Sequence, residues 1–170
     1  VGRAKAVQAE EKARRAGEGS AEVLAQLHKV PGCENLTWND VQIASTIFAV
    51  EPGDGSAREQ AASCQRVLGA GANIVTEYAT KRYRSNVMNW GMVPFQMEAE
   101  PNFEVGDYVF VPGIRAALDG DLKNIAAYVV RADGTVEQIE LYIADMTAEE
   151  RAIVKAGCLI NYNKFKAAAE

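Results

Sequence analysis

Apolar positions in the first forty residues are sparse and helically spaced. Arg3 to Arg15 consists of strong helix formers with interleaved charges, which predicts a solvated helix. Gly17-Glu18-Gly19-Ser20 breaks it and opens a second helix, whose Val23, Leu24 and Leu27 form an apolar stripe. Val30-Pro31-Gly32 ends that helix, and the segment to Asp40 is expected to be loop. The pattern then changes: Ile43-Ala44-Ser45-Thr46-Ile47-Phe48-Ala49-Val50 has the β-branched and aromatic content of a buried strand. Gly53-Asp54-Gly55-Ser56-Ala57-Arg58-Glu59 follows as a glycine-rich turn with Ser56 at the expected N-cap. Beyond it Ala61, Ala62, Val67 and Leu68 recur at helical spacing, and Gly69 stands where a C-terminal cap belongs. The unit is strand, turn, helix.

Later the pattern shortens again. Glu100-Pro101-Asn102 predicts a turn and Val105 to Gly113 a strand bounded by breakers. Ile125 to Val130 and Val136 to Ile143 predict two strands around a hairpin at Asp133-Gly134. Thr147-Ala148-Glu149-Glu150 has the spacing of a capping box opening a helix that runs through Val154 and ends at Gly157. Cys158-Leu159-Ile160-Asn161-Tyr162 is expected as an apolar tail packed on the core. Helices and strands in this order, with antiparallel signals late in the chain, predict one mixed α/β domain.

Composition narrows the function classes. At 170 residues and 48% hydrophobic the chain can bury one substantial core without staples. A net charge of −5 argues against a nucleic-acid-binding footprint. There is no run of membrane-span length and no secretory signal pattern, so the expectation is a soluble, cytoplasmic chain with no membrane partner. Cys33, Cys64 and Cys158 contain no C-x-x-C pair and are expected to be free thiols. His28 is the only histidine, which excludes a histidine-rich metal site, and it is expected on an ordinary helix face. No metal ligand set is expected on this chain.

The glycine-rich turn is where chemistry concentrates. Its glycines permit close backbone approach, and the helix it opens offers unpaired N–H groups of positive dipole character, a natural place for an anion. Arg58 adds a planar fork suited to a carboxylate or phosphate. The plainer alternative is that Ser56 only caps the helix and Arg58 only pairs with a surface acid. Three named motifs are rejected: a dinucleotide fingerprint needs glycine at 58, a P-loop needs Gly-Lys-Ser/Thr, and a nucleophile elbow needs glycine at 54. Lys81, Arg82 and Arg84 are expected to form a solvated helix face, and Asp54 and Glu59 to brace the loop.

Gly55-Ser56-Ala57-Arg58-Glu59 resembles the Gly-Ser-Ser-Arg-Glu loop in the C-terminal swivelling domain of the aconitase and isopropylmalate dehydratase superfamily. The likeness continues through Glu59-Gln60-Ala61-Ala62, Arg66, Leu68-Gly69 and Ala72 to Thr76. Further on, Tyr78 to Asn86 and Asn89-Trp90-Gly91-Met92-Val93-Pro94-Phe95 resemble the family's second helix and its Asn…Gly…Leu-Pro segment. It covers roughly positions 43 to 165, with a one-residue shift before Asn86. Two residues depart from the pattern: Ala57 replaces the usual second serine and Gln60 the usual histidine.

The resemblance implies a single mixed-sheet swivelling β/β/α domain, with residues 1–40 a helical lead-in and 41–170 the core. The family's opening strand with its Asp-Asn…Thr-Asp signature is absent, so the chain is expected to be a C-terminal piece of a longer polypeptide. The resemblance also implies dehydration and rehydration of a hydroxy di- or tricarboxylic acid, with Ser56 matching the catalytic base and Arg58 the binder of a substrate carboxylate. A [4Fe-4S] cluster acting as Lewis acid is implied too, held by domains absent from this chain, on the same polypeptide or a large subunit. The isolated chain is expected to be inactive. The competing reading is a regulatory or assembly module that retains the swivelling fold without the reaction.

Overall fold

The computed structural model describes residues 1–169; Glu170, the end of the expected core segment, lies outside them. The two opening helices lie close to where the sequence pattern puts them, α1 at Gly2–Arg15 and α2 at Ala21–Leu27. Ser20 starts α2 by accepting the Val23 N–H at 3.2 Å. His28 is the C-cap of α2 rather than a face residue, and its Nε2 donates to the Leu36 carbonyl at 2.7 Å. The lead-in is tied to the core by α1, where Glu11 accepts from Arg14 at 2.7 Å, Arg15 at 2.8 Å and the Ile43 N–H at 2.8 Å. Burial alone would raise the Glu11 carboxyl, but these donors hold it at about 2.

The strand, turn and helix unit becomes the first half of a parallel sheet. β1 (Ser45–Ala49), α3 (Arg58–Val67), β2 (Ala70–Val75), α4 (Lys81–Asn89) and β3 (Val93–Gln96) alternate along the chain. The strand order is β1-β2-β3, all parallel, with Phe48, Ile74 and Phe95 in one register row. Parallel neighbours need a crossover, and α3 and α4 supply the two. Pro94 sits in β3 without breaking the sheet because β3 is an edge strand.

The second half is an antiparallel meander of β4 (Tyr108–Phe110), β5 (Ile125–Val130) and β6 (Val136–Leu141), with the short α5 (Ile114–Ala117) between β4 and β5. The mixed α/β class holds, but the strands divide between two small sheets rather than lying in one. A single antiparallel bridge joins the two, with Gln96 and Tyr142 exchanging backbone N–H···O bonds of 2.7 and 2.9 Å. Ile74, Met88, Phe95, Val129, Leu141 and Val154 form one core cluster that spans both sheets and the helices over them.

Two sequence expectations change here and one holds. The strand expected over 105–113 shrinks to Tyr108–Phe110, because Val105 is 93% exposed and the Asp107 carboxylate turns back to accept the Glu104 N–H. The capping box at Thr147 and Glu150 opens α6 (Ala148–Ala156) and Gly157 closes it, as the spacing predicts. Cys158 to Tyr162, however, is no tail packed on the core. The turn at Gly157 redirects the chain into α7 (Leu159–Ala167), whose apolar residues gather on no single face and include no buried one. That turn is tight for a second reason: a Cβ on Gly91, at the end of α4, would lie on top of the Gly157 carbonyl, so the ends of α4 and α6 meet backbone to backbone.

Candidate functional site

Residues 50–57 leave the C-terminal end of β1 and enter α3, at the edge of a parallel sheet where open α/β folds receive ligands. Gly53 is the pivot of this loop. Its φ is +101°, and a Cβ there would stand 2.5 Å from the Cβ of Tyr83, so a side chain is excluded by conformation and by space. Its carbonyl accepts two hydrogen bonds, one from Thr80 Oγ1 and one from Arg58 Nε, both at 3.1 Å. Thr80 is also the N-cap of α4 and accepts the Tyr83 N–H at 3.2 Å. One hydroxyl thus joins the loop to the next helix.

Ser56 does not do what its position suggested. The N-cap of α3 is Ala57, no side chain caps the helix, and Ser56 lies exposed one residue further out. The start of α3 therefore keeps uncapped N–H groups beside a hydroxyl that no cap occupies. Arg58, half-buried at the first helical position, lies along its own loop: besides Gly53 it donates from Nη2 to the Asp54 carbonyl at 3.4 Å. Among the described residues it forms no ion pair, so the pairing with a surface acid weighed from the sequence is not what holds it.

The neighbours divide differently from the sequence expectation. Asp54 contributes its carbonyl rather than its carboxylate to the loop. Glu59 braces the helix pair instead, accepting the Trp90 indole N–H at 3.1 Å. Lys81 and Arg82 are exposed, but Arg84 is half-buried and donates to the Ala144 carbonyl at 2.8 Å, which removes it from a solvated face. Beneath the loop lies a polar layer in which the buried Tyr83 hydroxyl accepts from Gln65 at 2.8 Å and from the fully buried Asn73 at 3.2 Å. Tyr78 packs its ring 6.0 Å from that of Tyr83, and burial pushes its hydroxyl well above the ordinary tyrosine range.

Thr80, Tyr83 and Trp90 are the supporting residues that sequence reasoning missed. A Thr one residue before Lys81 carries a helix N-cap signal, but nothing in one sequence says which carbonyl its proton finds. Two surface clefts lie elsewhere, one at Asp119, Arg151 and Lys155 and one between α1 and the end of α3, and neither includes Ser56 or Arg58.

All three cysteines are free, Cys33 buried, Cys64 exposed and Cys158 half-buried. Among the described residues no three His, Cys, Asp or Glu side chains gather to hold a metal ion, so an iron-sulfur cluster does not fit the residues of this chain. No described helix is long and apolar enough to cross a membrane.

A parallel βαβαβ unit with a glycine-rich loop at its strand ends, followed by an antiparallel meander, defines a mixed α/β domain built to present that loop. The family model for the aconitase C-terminal domain matches residues 13–100, just over half of the chain and all of the parallel sheet, and the chain belongs to that family. Among curated proteins it is similar to aconitate hydratase A of Bradyrhizobium diazoefficiens, with 28% identity over 145 residues. That match covers 79% of this chain and 15% of the relative's length.

Proposed function

We propose that the chain is the substrate-binding and base-bearing domain of an aconitase-like hydro-lyase acting on a hydroxy di- or tricarboxylic acid. The observation that carries this most directly is the pairing, on one loop of an aconitase C-terminal domain, of an exposed Ser56 hydroxyl free of capping with an Arg58 that has no acidic partner among the described residues. Arg58 holds a substrate carboxylate through the N–H groups that its own loop leaves unused, a task for which a planar fork is suited. Ser56, as alkoxide, takes the proton from the carbon α to that carboxylate. The freed electron pair becomes the carbon–carbon double bond as the hydroxyl on the neighbouring carbon departs with its bonding pair as hydroxide, which a Lewis or proton acid outside this chain would accept, and rehydration reverses each step.

Serine is a feeble base until ionised, and each unit by which its pKa is lowered requires about 1.36 kcal/mol of preferential stabilisation of the alkoxide. The uncapped start of α3 and the Arg58 guanidinium are the groups on this chain suited to supply it. The iron-sulfur cluster belongs in this proposal to other domains, on the same polypeptide or a large subunit, and the isolated chain is inactive. The test is an assay of the protein that carries these residues together with cluster-bearing domains, on citrate, isopropylmalate, homocitrate and methylcitrate. Turnover of one or more supports the proposal. Absence of turnover on the whole panel, in a preparation with an intact cluster, favours a regulatory or assembly module and overturns it.

A further inference from the structure

Resting on the proposed role of Arg58, we infer that Thr80 is a positioning residue for the substrate-carboxylate clamp, acting through the carbonyl of Gly53. The arrangement is a chain of three bonds: the Tyr83 N–H to Thr80 Oγ1 at 3.2 Å, the Thr80 hydroxyl proton to the Gly53 carbonyl at 3.1 Å, and Arg58 Nε to that same carbonyl at 3.1 Å. A hydroxyl has one proton to donate, and here it goes to the loop while the oxygen receives the helix. Gly53 lies close against the start of α4, where even an added Cβ would stand 2.5 Å from Tyr83, a residue only 1% exposed. The carbonyl is therefore aimed by α4 on one side and read by Arg58 on the other. With Nε bonded to Gly53 and one Nη2 proton to Asp54, the outward edge of the guanidinium is left to meet a carboxylate. The Thr80 bond makes that outward edge a fixed feature rather than one rotamer among several, and pre-set geometry of this kind lowers the ordering cost of binding.

Two properties of threonine are in play and substitutions separate them. Serine keeps both the proton for Gly53 and the acceptor for Tyr83. Aspartate keeps the acceptor, and with it the helix cap, but when ionised has no proton to give to a carbonyl. Valine loses both.

The test is an NMR titration of the 170-residue chain with citrate as probe, alongside thermal melts. Thr80→Ser is expected to bind citrate within about twofold of the parent and to retain a protected Arg58 Nε–H. Thr80→Asp and Thr80→Val are expected to weaken citrate binding by about tenfold and to expose that N–H to exchange, with a clear fall in melting temperature only for valine, which loses the cap. If the aspartate variant, folded and capped, binds citrate as the parent does, Thr80 is a helix cap and nothing more. Valine serves as the same check should aspartate fail to fold. Arg58→Lys in parallel tells the two levels apart. A weakened lysine variant with unaffected Thr80 variants removes only the positioning role. An unaffected lysine variant, or a parent that responds neither to citrate nor to the other three acids named above, removes the Arg58 clamp and this inference with it.

Discussion

At the scale of single residues the account turns on a serine and an arginine whose side chains the fold leaves available. Arg58 makes two hydrogen bonds to carbonyls of its own loop and no ion pair among the described residues. Lysine in its place keeps the charge and loses the fork, so in the proposed hydro-lyase Arg58→Lys should raise KM for a hydroxy-acid substrate by about tenfold or more and lower kcat through misorientation of the carbon acid. A lysine variant with parental KM would place Arg58 outside the site. The loop that carries both residues was legible in the sequence as a glycine-rich turn after a strand. Their surroundings were not: Ser56 was expected to cap α3, but the helix begins at Arg58 with Ala57 as its cap. A shift of one residue at a helix end is finer than a sequence pattern resolves, yet here it decides whether a hydroxyl is occupied or free.

At the scale of elements, the loop and the start of α4 are one mechanical unit. Gly53→Ala places a Cβ 2.5 Å from Tyr83 at a φ of +101°, both unfavourable, and should cost about 1–3 kcal/mol. In a chain of this size that is a fall in melting temperature of about 2–12 °C, measurable by calorimetry. An unchanged melt would show that the loop is free to move away from α4. The capping box of α6 offers a second check. Thr147→Ala removes the acceptor of the Glu150 N–H, at 3.1 Å, and should cost about 1 kcal/mol. Elements with local signals, such as this box and the hairpin at Asp133-Gly134, were legible because their causes are short-range. The assembly of the strands into two sheets was not, because the bridge between Gln96 and Tyr142 joins positions far apart in the chain and leaves no local mark. The helix α7 was missed for a different reason: its apolar content suggested a packed tail, while its apolar residues gather on no single face and none of them is buried.

At the scale of the whole molecule, the lead-in helix is fastened by a charged latch. Glu11 is held at about 2 in the folded chain against an ordinary value of 4.5. Its contribution to stability is thus complete above about pH 4.5 and is lost as the pH falls toward 2. Glu11→Gln should lower the melting temperature at neutral pH, and the gap from the parent should close across that acid window. A gap of constant size at all pH values would show that the latch is not electrostatic. Seen together, α1 grips the approach to β1, the parallel sheet carries the loop, and the antiparallel meander completes the core beneath it. In the proposed function this scaffold presents Ser56 as a base. The most direct measurement is steady-state kinetics of Ser56→Ala in the proposed hydro-lyase, made together with the cluster-bearing domains assigned to it, with a melt of the same protein. The expected result is a kcat lower by several orders of magnitude, a KM little changed, and an unaltered melting temperature, since Ser56 caps nothing. A variant that keeps most of its kcat would contradict it.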